Sequence, residues 1–230
     1  MYLVDVSAQE KLDNFFRKFH LSQYGKRELI LHASDISSNV FYIRDGYIRV
    51  YRLSEQGDEL TLTILSPGDF FPLTYGFHPV KNQYFLESMT PLAVWKSPQE
   101  TFLDFITEDR DVFYNLITRS FVQFEGFLSR MEYYMHSSAY LKVAAALIAC
   151  AQTIGRLQDD NSVIIPVPLT HRDIATMIGA TRETTSLEMK KLEKQGFISK
   201  SRKYIRIHNH DIPEEYLLKI DSEPTLFNQI

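Results

Sequence analysis

Arg182 and Glu183 stand side by side directly after Thr181, and Ser186 follows close behind. This grouping can read DNA. A guanidinium donates two parallel hydrogen bonds to guanine O6 and N7, and a carboxylate accepts one from cytosine N4. An Arg-Glu pair at the start of a helix lying in the major groove therefore addresses a G·C pair. Thr184, Thr185 and Ser186 carry short hydroxyls that reach phosphate or a base edge. Lys190, Lys191 and Lys194 lie farther along, where ammonium groups suit the phosphate backbone. The candidate base readers are Arg182, Glu183 and Ser186. The candidate backbone contacts are Thr170, His171, Arg172, Thr181, Thr184, Lys190 and Lys203. Surface salt bridges are the alternative use for Arg182 and Glu183.

Charge is segregated to match. Residues 1–165 hold 15 Lys and Arg against 20 Asp and Glu, a local net charge of −5. Residues 166–210 hold 9 against 4, or +5, and residues 211–230 hold 1 against 5, or −4. A basic block between two acidic ones marks a candidate polyanion-binding surface, and a solvated Lys-rich face is the bland alternative.

The elements that must position these side chains are legible. Thr170 is a good N-cap with Asp173 three residues later, an acidic variant of the capping box. The spacing predicts a helix over His171–Ile178 with Ile174, Ala175 and Ile178 turned inward, ended by Gly179. Thr181 then caps a second helix from Arg182 to about Gln195, ended by Gly196. A small Ala175 followed four residues later by Gly179 is helix-turn-helix spacing. Phe197–Ser199 and Tyr204–Ile207 read as two strands of a wing around Lys200–Lys203.

Upstream the periods differ. Residues 26–96 read as strands: Leu60, Leu62 and Ile64 alternate with Thr61 and Thr63, and Ile48 and Val50 with Tyr47, Arg49 and Tyr51. Turn signals at Asp45-Gly46, Gln56-Gly57-Asp58 and Pro67-Gly68-Asp69 recur at short intervals, which predicts an antiparallel barrel or sandwich. Val4–Phe19 has helical spacing at Leu12, Phe15, Phe16 and Phe19 and is expected to pack on the sheet. After Pro98 the period is helical. Tyr114, Ile117, Phe121, Phe124, Leu128, Met131 and Met135 step alternately by three and four, a heptad stripe that predicts a dimer seam. Lys142–Ile154 reads as an alanine-rich helix, Arg156–Ser162 as a polar turn, and Val163–Val167 as a short strand.

With these residues in view, the chain resembles the Crp/Fnr family of bacterial transcription regulators over nearly its whole length. Gly46-Tyr-Ile-Arg-Val-Tyr, Gly57 and Leu65-Ser-Pro-Gly-Asp-Phe-Phe71 resemble the family's β-roll signature. Leu169-Thr-His-Arg-Asp-Ile-Ala175, Ile178-Gly-Ala-Thr-Arg-Glu-Thr184 and Lys191-Leu-Glu-Lys-Gln-Gly-Phe-Ile198 resemble its helix-turn-helix and the run into the wing. The resemblance implies an α+β fold: an N-terminal antiparallel, jelly-roll-like β-roll, a long central dimerisation helix and a C-terminal winged helix-turn-helix. The expected limits are 1–107 for the sensor, 108–137 for the helix and 138–230 for the DNA-binding domain with its tail. It further implies a homodimer on double-stranded DNA at an inverted-repeat operator, with RNA polymerase as a partner if the protein activates.

The departures bear on the effector. Relatives that bind cyclic AMP carry a Gly-Glu step after the Gly-Asp-Phe-Phe turn and an Arg-Ser step about ten residues later. Here Phe71-Pro72-Leu73-Thr74 and Asn82-Gln83-Tyr84 stand in those stretches, with neither the acid nor the arginine. The central-helix hydroxyl positions appear as Phe127 and Leu128. No cyclic-nucleotide response is expected. Phe70, Phe71, Leu73, Gln83, Tyr84 and Phe127 form the candidate effector pocket, in a roll whose aromatics either line an apolar site or fill the interior. The N-terminal cysteine cluster of the oxygen-sensing branch is absent. His20, His78 and the His208-Asn-His210 pair are read as structural or solvated, so no metal and no cofactor are expected. In the reading helix, Leu187 stands where many relatives place a second arginine.

Composition narrows the remaining classes. The chain has 230 residues, 44% hydrophobic and 23% charged, within the ordinary globular range. Its longest apolar run, Val143–Ala151, falls well short of the about 20 residues of a membrane span. The first ten residues hold no Lys or Arg, so no secretory signal is read and a cytoplasmic setting is expected. A single Cys150 excludes an internal disulfide framework. A cupin-type enzyme needs a histidine cluster in its barrel strands, and residues 26–96 offer only His32 and His78. No catalytic residues are assigned. The other reading is a ligand-sensing interaction module that does not bind DNA.

Overall fold

The computed structural model describes residues 6–35, 37–72 and 82–208. Helix α1 (Val6–Phe16) turns Ala8, Leu12, Phe15 and Phe16 onto one face, and all four are buried. The helix ends earlier than its apolar spacing suggests. Lys18 and Phe19 instead donate their N–H groups to the carbonyls of Phe15 and Phe16, in tighter three-residue turns. Phe19 still packs against the cluster from outside the helix.

Among the described residues eight strands follow: β1 (His20–Tyr24), β2 (Leu29–Leu31), β3 (Asn39–Asp45), β4 (Ile48–Leu53), β5 (Glu59–Leu65), β6 (Phe70–Phe71), β7 (Phe85–Ser88) and β8 (Leu92–Pro98). Among the described residues they close no barrel. They form two four-stranded sheets, ordered β1-β8-β3-β6 and β2-β7-β4-β5. Leu31, Phe41, Ile43, Ile48, Phe71, Leu86, Leu92 and Val94 form one core cluster. A second cluster joins α1 to Val40, Tyr42, Phe70 and the helices that follow. The β3–β4 turn requires its glycine on two grounds. Gly46 sits at φ +93°, and a Cβ there would lie 2.4 Å from the Pro91 carbonyl oxygen.

Two strands depart from simple alternation. On β5, an edge strand, Ile64 is buried, Leu62 half-buried and Leu60 exposed, so the inward face runs out of core toward the strand's start. On β4, Arg49 is buried rather than facing solvent. Its guanidinium lies 3.6 Å from Glu87 and 4.2 Å from the Tyr51 ring centroid, which together offset its desolvation.

Helix α2 (Gln99–Glu108) buries Phe102 and Ile106, and α3 (Arg110–His136) runs for 27 residues. Asp109 separates them, its Oδ1 accepting the N–H groups of Asp111 and Val112 at the open start of α3. The Lys11 ammonium, 2.8 Å away, and those amides hold this carboxyl below its ordinary pKa. Inward, α3 buries Val112, Asn115 and Leu116. Arg119 donates to Asp69 Oδ1 at 2.9 Å and to Gln9 Oε1 at 3.1 Å, and Gln9 and Asp13 in turn hydrogen-bond the Tyr42 hydroxyl. The described chain forms two compact units: one runs to Gln123 of α3 without Asp58–Thr61, and the other holds Asp58–Thr61 and the chain from Phe124 on.

The second unit holds α4 (Ala139–Ile154), β9 (Arg156–Leu157), β10 (Val163–Ile165), α5 (His171–Ile178), α6 (Arg182–Lys194), β11 (Ile198–Ser201) and β12 (Tyr204–Ile207). The alanines of α4 allow close packing, and it lies against both α5 and α6. Arg156 and Leu157, expected in a polar turn, form instead the short β9, pairing with Ile164 and Val163. The sheet order is β11-β12-β10-β9. Burial raises the Cys150 thiol to about 12, so at neutral pH it is protonated and inert.

Candidate nucleic-acid interface

Helix α5 begins with the capping box its sequence carries. The Thr170 hydroxyl accepts the Asp173 N–H at 3.1 Å, and Asp173 Oδ2 accepts the Thr170 N–H at 2.8 Å. Ile174, Ala175 and Ile178 are buried as expected. Gly179 takes φ +63°, ψ +38°, and its N–H returns to the Ala175 carbonyl. A Cβ there would meet nothing within 4 Å, so the backbone angle, not space, demands glycine. Thr181 caps α6 by accepting the Thr184 N–H at 3.1 Å.

Helix α6 has two sides. Thr185, Met189 and Leu192 are buried against the unit's core. Arg182, Glu183, Leu187, Lys190, Lys191 and Lys194 are exposed, and Ser186 is half-buried. Thr185 is a correction. It is fully buried and donates its hydroxyl to the Thr181 carbonyl at 2.9 Å, so it cannot reach a phosphate or base. Lys191 is bound to Glu188 at 2.9 Å, which leaves Lys190 and Lys194 as the freer cations. Among the described residues, Arg182 and Glu183 form no salt bridge with each other.

The other candidates divide by the state of their donors. The Thr170 O–H is given to Asp173 Oδ2 at 2.7 Å, so a phosphate contact from that hydroxyl would break the cap. The Thr181 hydroxyl donates to Thr184 Oγ1 at 3.0 Å, leaving the Thr184 proton free to point outward. Arg172 and Lys203 are exposed, with Lys203 Nζ over the Tyr204 ring. The wing turn is shorter than expected. Lys200 and Ser201 continue β11 in register with Ile205 and Tyr204, so only Arg202 and Lys203 turn, Arg202 at φ +58°.

Electrostatics tie these pieces together. His171 has its pKa lowered first by burial and then by the charges of Lys200, Arg182 and Lys190, so the imidazole is neutral at neutral pH. Charges from α6 and the wing thus act together on the start of α5, with Glu193 opposing them. Lys200 was not among the sequence candidates. It lines a hollow with His171, Lys190 and Ser199, and the basic Lys200–Lys203 run was the available signal.

The seven-residue stripe of α3 is apolar yet 38–75% exposed, from Ile117 at the low end to Tyr114 at the high end. Within the first unit, the described candidate effector residues face different surroundings. Phe70 and Phe71 are adjacent on β6 and so point to opposite faces, into different core clusters. Phe71 stacks on Phe41 with ring centroids 5.0 Å apart. Gln83, Tyr84 and Phe127 are exposed, and Leu73 lies outside the described residues. Asn82 is buried with its amide used entirely by backbone. Nδ2 donates to the carbonyls of His32 and Tyr84, and Oδ1 accepts the Tyr84 N–H. His208 Nε2 lies 2.8 Å from Ser199 Oγ, while His78 and His210 lie outside the described residues. No described helix is long and apolar enough to cross a membrane.

Comparison with known proteins adds a second line. Residues 21–109 match the model of the cyclic nucleotide-binding domain, and residues 142–212 match the Crp-like helix-turn-helix domain. The cAMP-activated global transcriptional regulator CRP of Pasteurella multocida is 24% identical over 208 residues, covering 88% of this chain and 96% of that protein. The nitrogen fixation regulation protein FixK of Bradyrhizobium diazoefficiens is 23% identical over 196 residues, covering 85% and 80%. The structure of FixK2 from Bradyrhizobium japonicum shares the fold with a TM-score of 0.71 at 20% identity, over 89% of this chain and 98% of that one.

Proposed function

Because the chain belongs to the Crp/Fnr family of transcription regulators, we propose that it works as a homodimer on an inverted-repeat DNA operator, with α6 in the major groove. We read it as a sensor (1–107), a dimerisation helix (108–137) and a DNA-binding domain (138–230). The observation that carries the reading is the exposed side of α6. Arg182 and Glu183 stand at its capped start, and Lys190 and Lys194 follow opposite the buried Thr185, Met189 and Leu192. In this reading Arg182, Glu183 and Ser186 meet base edges. His171, Arg172, Thr184, Lys190 and Lys203 meet phosphates, and Thr170 and Thr181 serve chiefly as caps that hold both helices in place. RNA polymerase is the further partner if the bound protein activates, and the working compartment is the cytoplasm.

Fluorescence anisotropy on random-sequence duplex DNA tests the DNA-binding half. Binding should be clear at low salt and weaken steeply as salt rises, with a slope of about −0.9 per phosphate neutralised. No binding at low salt would favour a ligand-sensing interaction module instead.

The sensor is proposed to lack a cyclic-nucleotide response. Two observations support this. Asn82 is committed to the backbone where a phosphate arginine would stand nearby, and Phe70 and Phe71 fill separate cores. Cyclic AMP and cyclic GMP at millimolar concentration are expected to change neither melting temperature nor DNA affinity. A site with a dissociation constant 100-fold below the ligand concentration would add about 2.7 kcal/mol, roughly 5–10 °C for a chain of this size. A shift of that order with either nucleotide would overturn the proposal.

A further inference from the structure

We propose that Leu187 reads a thymine methyl group in each half of the operator, an inference that rests on α6 being the reading helix. At about 100° per residue, Glu183, Leu187, Lys190 and Lys194 fall in a stripe about 60° wide, centred opposite Thr185, Met189 and Leu192. Leu187 is the apolar member of this stripe and is 60% exposed. A leucine at such a position has no core to fill, since the core-facing side of the helix is already occupied by the buried three. It is also far in sequence from the apolar stripe of α3.

The chemistry of the groove limits what this side chain can recognise. Leucine has neither donor nor acceptor, so guanine O6 and N7, adenine N6 and cytosine N4 offer it nothing. The apolar group exposed on the major-groove edge is the thymine C5-methyl. Leu187 follows Glu183 by four residues, a rise of about 6 Å along the helix. With base pairs about 3.4 Å apart, the thymine lies within one or two pairs of the G·C pair assigned to Arg182 and Glu183. Covering one methyl group on binding corresponds to about a fourfold gain in an equilibrium constant for each half-site, and about fifteenfold for both.

Deoxyuridine substitution isolates that methyl, because uracil keeps every hydrogen-bonding group of thymine. Each thymine of the operator selected by the protein is replaced symmetrically in both halves, and affinities are measured for wild type, Leu187→Ala and Leu187→Met. One substitution next to the G·C pair should weaken wild type about fifteenfold. The same substitution should leave Leu187→Ala unaffected and still weaken Leu187→Met, whose side chain stays apolar and long. Equal affinity of wild type for every uridine duplex would overturn the proposal, as would a uridine penalty that persists in Leu187→Ala. Arg182→Ala separates this from the parent reading. If its preference at the G·C pair is lost while uridine is neutral, only the methyl contact fails. If its preference is unchanged, α6 is not the reading helix and both fail.

Discussion

Leu128→Asp is expected to leave the protein monomeric at micromolar concentration. Leu128 is half exposed on α3, beside Phe124 at the middle of a stripe of seven apolar side chains that are each 38–75% exposed. A contiguous apolar surface of that length is what a partner helix removes from water, and the alternating three and four spacing fits knobs-into-holes packing. In a two-fold seam the new carboxylate enters from both protomers. Burying an unpaired charge costs several kcal/mol, so the dissociation constant should rise by on the order of a thousandfold or more. Phe124→Asp should do the same. Leu53→Asp is the control: Leu53 is 43% exposed on β4 and not a member of the stripe, and its variant should stay dimeric. Equilibrium sedimentation reads the result directly. A fully dimeric Leu128→Asp would place the interface elsewhere.

Arg182→Ala is expected to cost about 1–3 kcal/mol in each half-site and to erase the preference for its G·C pair. Across two half-sites the loss is about 30-fold to 10⁴-fold, and it should be far smaller on duplexes already changed at that pair. Lys190→Ala and Lys203→Ala should behave differently. They should weaken binding to every sequence alike and flatten the salt dependence by about one phosphate per half-site, because phosphate contacts carry no sequence information. Titrations of all three variants on matched and altered operators, at several salt concentrations, distinguish the two behaviours. A sequence-independent loss in Arg182→Ala would move base reading to other residues.

The helix-turn-helix was legible almost to the residue because local rules decide it. A capping box, a glycine at positive φ and a second capping threonine all act within four residues of themselves. Thr185 was readable too. It stands four residues before Met189 and seven before Leu192, on the buried face of its helix. The two aromatics of β6 likewise had to face opposite ways, since strand side chains alternate. What stayed hidden depends on distant partners. Arg156 and Leu157 become a strand only because β10 offers an edge, and Arg49 is buried only because Glu87 and Tyr51 receive it. The tie from Arg119 to Gln9 and Asp69 joins residues 110 and 50 positions apart, beyond the reach of any periodicity.

Selection of binding sites from a random-sequence duplex pool by the wild-type protein tests the central claim most directly. A two-fold dimer sets its two reading helices about 34 Å apart, one turn of DNA. The selected sequences should therefore converge on an inverted repeat with half-site centres about 10 base pairs apart and a G·C pair fixed in each half. A pool that shows no enrichment, or that converges on a single half-site, would contradict the account.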